Sequence, residues 1–148
     1  MRYLGIDYGT RRTGVALGDT ESRLALPFEA YEALTDKELA RAIGDLARRE
    51  GIDQIVVGLP LNADGTVSGQ SKITESFIAL LEQELGDRSV GGVTVHRASE
   101  YLSTHEAEGK LAGHYTRLQK RARVDAIAAA RILQDWMDAH ALQPPTTG

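Results

Sequence analysis

The chain of 148 residues contains no cysteine. That excludes disulfides and thiolate metal sites, and it suits a reducing cytoplasm. No apolar run approaches the roughly 20 residues needed to cross a bilayer, so no membrane partner is expected. The opening Met1-Arg2-Tyr3-Leu4-Gly5-Ile6-Asp7 lacks the apolar stretch of a signal peptide. Excess positive charge is also missing. A net charge of −4 and a pI near 5.6 argue against a protein that coats nucleic acid through bulk charge. The histidines His96, His105, His114 and His140 show no metal-ligand spacing. Neither an internal repeat nor a second domain is visible. One domain over residues 1–140 is expected, followed by a flexible tail over 141–148.

What is present is an ordinary globular composition, 42% apolar and 26% charged, in a chain long enough to bury a core. Residues 2–8 read as a strand that delivers Asp7 to a glycine turn. Leu4 and Ile6 face one side of it; Gly5 and Asp7 face the other, because strand side chains alternate. Gly5 beside Asp7 leaves open space on the acid's own face, which suggests a site. Asp7 as a turn cap is the competing reading. Residues 13–18 form a second strand paired to the first as a hairpin. Residues 24–31 form a third, with Pro27 pointing to a sheet edge. Thr35-Asp36 caps a helix that carries Leu39, Ile43, Leu46 and Ala47 at helical spacing. Residues 52–58 read as a buried parallel strand. A turn-rich loop over 59–69 follows at its carboxyl end, where open α/β sheets place ligands. A second helix spans 71–85, with Ile73, Phe77, Leu80, Leu81 and Leu85 as its inner stripe and Gly86 closing it. Residues 92–96 form the fifth strand. Residues 102–112 read as helical, 113–120 as a loop, and 124–140 as a long alanine-rich helix. This order predicts a five-stranded mixed sheet, three strands antiparallel then two parallel, with helices on both faces.

Three acids fall where this arrangement would gather them. Asp7 ends the first strand, Glu100 follows the fifth, and Asp125 opens the last helix. Small residues at 126, 128, 129 and 130 let that helix approach the sheet and carry Asp125 toward the strand ends. Clustered carboxylates repel unless a cation neutralises them. An all-oxygen donor set suits Mg²⁺ or Mn²⁺. Two such ions about 3.5–4 Å apart would clamp the attacking and leaving oxygens of a phosphodiester. Each acid also has a plainer reading: Asp125 as a helix cap, Glu100 as a surface charge.

Lys110, Arg117, Lys120, Arg121 and Arg123 accumulate with no acid between them. Basic residues at a helix start oppose its dipole, so capping does not account for them. Gripping phosphates beside the acids does. Arg11 and Arg12, one turn from Asp7, pair with acids or touch substrate, and Lys72 is a further phosphate candidate. Tyr8, Tyr101 and Tyr115 offer base-stacking surfaces, with half-buried packing as the alternative.

The segments Gly5-Ile6-Asp7-Tyr8-Gly9-Thr10-Arg11-Arg12-Thr13-Gly14-Val15-Ala16, Val57-Gly58-Leu59-Pro60-Leu61-Asn62-Ala63-Asp64-Gly65-Thr66, Glu100-Tyr101-Leu102-Ser103-Thr104 and Val124-Asp125-Ala126-Ile127-Ala128-Ala129 together resemble the YqgF (RuvX-type) family. The resemblance implies an RNase H-like fold, similar to the RuvC resolvases, and a metal-dependent nuclease. It implies Asp7, Glu100 and Asp125 as catalytic acids and metal ligands. Two roles go with it: maturing the 5′ end of the small-subunit ribosomal RNA precursor, and resolving Holliday junctions. Ser99 and Tyr101 depart from the family's usual Asp-Glu-Arg triplet around Glu100. Those departures keep a non-catalytic nucleic-acid-binding module open as a competing function. The Gly5–Thr10 stretch also looks like the first phosphate loop of actin-like ATPases, but no second phosphate loop is visible. Structured RNA and branched DNA both fit, as do a monomer and a homodimer.

Overall fold

The first strand is the spine of the sheet. In the computed structural model β1 (Arg2–Asp7) pairs antiparallel with β2 (Arg12–Asp19) and parallel with β4 (Gln54–Leu61). β3 (Leu24–Glu32) forms the edge beyond β2, and β5 (Thr94–Tyr101) the edge beyond β4, giving the order β3-β2-β1-β4-β5. The structure describes residues 1–61, 64, 66, 68–88, 92–101 and 117–141; at 87, 88, 100, 101, 117–123 and 141 it describes the backbone alone. Lys110, His105, His114, Tyr115, the expected helix over 102–112, positions 113–116 of the expected loop, and positions 142–148 of the expected tail lie outside the described residues.

Alternation along β1 divides the molecule. Leu4 and Ile6 join Val15, Ile55 and Val57 under helices α1 (Asp36–Arg49) and α2 (Gly69–Arg88). Tyr3 joins Ala16, Val56 and Ala98 under helix α3 (Arg117–Trp136). Helices therefore cover both faces, and Pro27 does lie in an edge strand. Helix α1 begins as expected. The Thr35 hydroxyl accepts from Glu38 N at 3.1 Å and the Glu38 carboxylate accepts from Thr35 N at 2.9 Å, a reciprocal cap.

Several boundaries differ from the sequence reading. β4 runs on to Leu61 and β5 to Tyr101, because parallel pairing continues from Gln54↔Thr94 to Leu61↔Tyr101. Glu100 thus lies within β5 rather than after it. Helix α2 starts at Gly69 and passes through Gly86, which is not among the positive-φ glycines and so forms no left-handed cap. Its inner stripe is rotated from the expected one: Thr74, Phe77, Ile78, Leu81 and Leu85 are buried, whereas Ile73 is 43% exposed. Thr74 tolerates burial because its hydroxyl donates to the Gln70 carbonyl. Helix α3 begins at Arg117, inside the expected loop, so Asp125 sits two turns within it and is no cap. The α-helix stops at Trp136 and passes into a π-helical turn, Met137–Ala141.

Candidate active site

Asp7 is the last residue of β1 and is half-buried. The turn beyond it is stapled by Thr13, which is 1% exposed. The Gly9 amide donates to the Thr13 hydroxyl at 3.3 Å and that hydroxyl donates back to the Gly9 carbonyl at 3.2 Å. A Cβ on Gly9 would sit 2.3 Å from the Arg12 carbonyl oxygen, so the chain must be glycine there to return so tightly. The staple brings Arg11 and Arg12 back beside the carboxyl end of β1.

Asp125 reaches the same place from the other side of the sequence. Asp7 pairs in register with Gly14 on β2. A Cβ on Gly14 would lie 1.9 Å from the Asp125 carbonyl oxygen. The backbone of α3 therefore rests directly on the strand position opposite Asp7. The same seam runs down the helix: a Cβ on Gly5 would meet Leu133 Cβ at 2.6 Å and the Ala129 carbonyl at 2.9 Å, one on Gly18 would meet Met137 and Leu133, and one on Gly58 would meet Ile132. Ala126, Ala129 and Ala130 complete it from the helix side, all buried. The expected close approach of the alanine-rich helix is thus realised. The open space expected beside Gly5 is not: α3 fills it. The strand glycines that make the approach possible were missed as a set. Their signal was the alternation Gly14-Val15-Ala16-Leu17-Gly18, bulky on one face and nearly bare on the other.

The electrostatics centre on Asp125. Arg12 Nε donates to its Oδ2 at 2.9 Å, with the two side chains 33% and 19% exposed. Burial pushes the Asp125 carboxyl above the usual carboxylate range; the Arg12 guanidinium opposes that shift and the charge of Glu32 adds to it. Glu32 is the register partner of Arg12 across β2 and β3. Glu100 pairs with Pro60, two residues beyond Ala98, whose side chain is buried under α3. About 10 Å of sheet, two strand spacings, separates the lines of β1 and β5. The structure thus rests the Asp125 backbone on Gly14, the register partner of Asp7, and sets the Glu100 backbone near the carboxyl end of β5. Among the described residues no group of three potential ligands forms a metal cluster. The donor chemistry nonetheless fits a hard divalent cation: Asp7 and Asp125 are half-buried oxygen donors, and Asp125 is poorly solvated, with one guanidinium contact as its counter-charge.

The remaining candidates divide. Arg11 and Lys72 are exposed. Lys72 stands in the first turn of α2, which is tied to the end of β4 by hydrogen bonds from Ser68 and Ser71 to the Pro60 carbonyl. The positions of Arg117, Lys120, Arg121 and Arg123 lie in the turns of α3 before Asp125. Tyr8 is not a stacking surface for bases. It is 7% exposed, stacked on Phe77 at 4.6 Å, and its hydroxyl donates to Asp36 at 2.6 Å. Ser99 is exposed and faces Leu59 in the ladder.

A five-stranded mixed sheet between unequal helical layers, with carboxylates at the strand ends, defines an RNase H-like α/β fold of the RuvC type. Among solved structures it is similar to Thermus thermophilus RuvC in complex with a Holliday junction substrate (TM-score 0.55, 13% identity, 98% of this chain and 99% of that one). It is also similar to the fowlpox virus Holliday junction resolvase (TM-score 0.54, 18% identity, 94% and 99%). In sequence it is 39% identical over 142 residues to a protein of Anaeromyxobacter sp. (strain K) named "Putative pre-16S rRNA nuclease", covering 95% of this chain and 99% of that protein. A protein of the same name from Opitutus terrae is 39% identical over 139 residues, covering 93% and 92%. The family model described as "RuvX: Holliday junction resolvase" matches residues 1–139. The chain belongs to the RuvX family, and its relatives carry nuclease names.

Proposed function

We propose that this chain is a metal-dependent nuclease that hydrolyses phosphodiester bonds in structured nucleic acid, and that its substrate is the 5′ end of precursor 16S ribosomal RNA. The observation that carries the reading is the Gly14–Asp125 contact. It sets the backbone of Asp125 against the strand position paired with Asp7, and Arg12 reaches the Asp125 carboxylate at the same place. The names of the relatives supply the substrate.

Asp7, Glu100 and Asp125 would hold Mg²⁺ or Mn²⁺, in two sites. The ions supply an acidified water and a positive counterpart for charge developing on the scissile phosphate. The protein's own part is positional. Asp7 is fixed by the stapled turn and Asp125 by the helix seam, so neither carboxylate must reorganise as the reaction proceeds. Arg11, Lys72, Lys110, Arg117, Lys120, Arg121 and Arg123 bind backbone phosphates and hold the strand across the rim. They carry no sequence information, so preference comes from substrate shape.

The test is cleavage of labelled precursor ribosomal RNA, single strands and a four-way DNA junction, each with Mn²⁺, Mg²⁺ or EDTA. Asp7→Asn should lower cleavage at least about a hundredfold, the scale on which single electrostatic groups count, while substrate binding persists. Full activity in that variant sinks the reading. A second reading, junction resolution, is favoured by the description of the family model and predicts preferential cutting of the four-way junction by a C₂ dimer. Binding without cleavage under any metal points instead to a binding module.

A further inference from the structure

The ion pair between Arg12 and Asp125 puts a cation on a carboxylate that the proposed function assigns to a metal. The backbone of Arg12 is held in place from several directions. Its backbone closes the Gly9 turn, Thr13 beside it is buried and doubly hydrogen-bonded, and Glu32 faces it across the β2–β3 ladder. Its side chain is nevertheless one-third exposed, more than that of Asp125, so it can leave toward solvent without opening the core. Asp125 itself cannot move away, because its backbone is wedged against Gly14. The backbone that carries the carboxylate is thus fixed, and the longer, more exposed Arg12 side chain is the more movable member.

We propose that Arg12 is the resident counter-cation of the metal-free site: it neutralises Asp125 until a divalent ion arrives, and metal entry displaces it. The inference rests on the reading of Asp125 as a metal ligand and adds a rule for occupancy. A half-buried carboxylate left without a counter-charge is costly, and a guanidinium held by a single Nε–H contact satisfies it less completely than a divalent ion would. A divalent ion and a guanidinium cannot share one carboxylate at close range without repulsion, and the ion carries the larger charge. Displacement leaves a free guanidinium at the rim beside Arg11, where a substrate phosphate can take it up. Metal loading and phosphate grip would then be linked through one side chain.

The competing arrangement is that Arg12 holds Oδ2 and orients Oδ1 for the metal, a positioning role in which it never leaves. The two predict opposite signs. Mn²⁺ binding would be measured by electron paramagnetic resonance of the free ion on the whole chain, for the parent, Arg12→Gln, Arg12→Lys and Asp125→Asn. Displacement predicts that Arg12→Gln binds Mn²⁺ roughly tenfold more tightly than the parent, the order expected when one nearby positive charge is removed. Arg12→Lys, which keeps the charge, should stay near the parent. Equal or weaker binding in Arg12→Gln overturns the proposal. The wild-type chain supplies a second measurement that needs no variant to fold. The Arg12 Nε–H resonance should lose its hydrogen-bonded shift on titration with Mg²⁺, and a resonance unchanged at saturation also overturns it. Failure of the underlying reading looks different: Asp125→Asn and Asp7→Asn would then bind Mn²⁺ as well as the parent does.

Discussion

The two faces of the sheet are built from the same strands and do opposite work. Under α1 and α2 the alternating positions are Leu4, Ile6, Val15, Ile55 and Val57, met by Leu39, Ile43, Leu46, Phe77, Ile78 and Leu81. Under α3 the alternating positions are Gly5, Gly14, Ala16, Gly18, Gly58 and Ala98, with only Tyr3 and Val56 larger, met by Ala126, Ala129, Ala130, Ile132 and Leu133. The thick face buries branched and aromatic side chains and carries most of the hydrophobic stabilisation. The thin face gives up much of that burial and lets a helix backbone come within contact of a strand backbone. What it obtains is position, since a side chain on a helix that cannot rise or slide is held where the strand ends need it.

That division can be broken deliberately. Leu81→Ala on the thick face should cost about 2–5 kcal/mol in denaturant unfolding, since Leu81 is fully buried. Well below its melting temperature the variant should keep the parent's Mn²⁺ affinity within about twofold, because a cavity relaxes locally. Gly14→Ala should cost about 3 kcal/mol, at the upper end for overpacking, because the new methyl meets the Asp125 carbonyl and backbone must shift. Unlike Leu81→Ala it should also lose metal binding and cleavage in the folded protein. Retained cleavage in Gly14→Ala would refute the assignment of positioning to the thin face.

A milder version separates the seam from the site. In Gly58→Ala the nearest atom is Cδ1 of Ile132 at 2.6 Å, the end of a flexible side chain that can turn away. The expected cost is about 1 kcal/mol, read as a lowered denaturation midpoint with little change in metal affinity. The smallest effect lies at the opposite end of the thin face. His96 bonds Gln54 and lies tilted against Trp136, which stacks in turn on His140. Burial lowers the His96 pKa from its usual 6.5, and the charge of His140 lowers it further. The unfolded chain therefore binds this proton more readily, so the contribution is full above pH 6.5 and is lost as pH falls through the lowered value. Melting temperature should decline on acidification across that window, and His96→Asn should flatten part of the slope.

Much of the fold was legible because it rests on local physics. Alternation in residues 2–8 gave the two faces of β1, Pro27 marked the edge, and Thr35 with Glu38 announced the start of α1. The places where the reading slipped were those where a neighbour decides. The length of β5 depends on β4 offering a ladder as far as Leu61. The phase of α2 depends on which side faces the sheet, and a buried Thr74 beside an exposed Ile73 contradicts composition alone. The start of α3 at Arg117 overrode a basic, glycine-flanked stretch that reads as a loop.

The sequence by itself determined the order of the described elements, the mixed sheet, and a resemblance strong enough to name a family. These follow from periodicity, turn chemistry and motif, which are written along the chain. Only the tertiary structure decided that the space beside Gly5 is filled by a helix, that Asp125 rests on Gly14 opposite Asp7, and that Arg12 holds it. Those are contacts between residues more than a hundred positions apart: small residues signal locally that a close approach can occur, but which two backbones meet, and at which residues, is set by the packed fold.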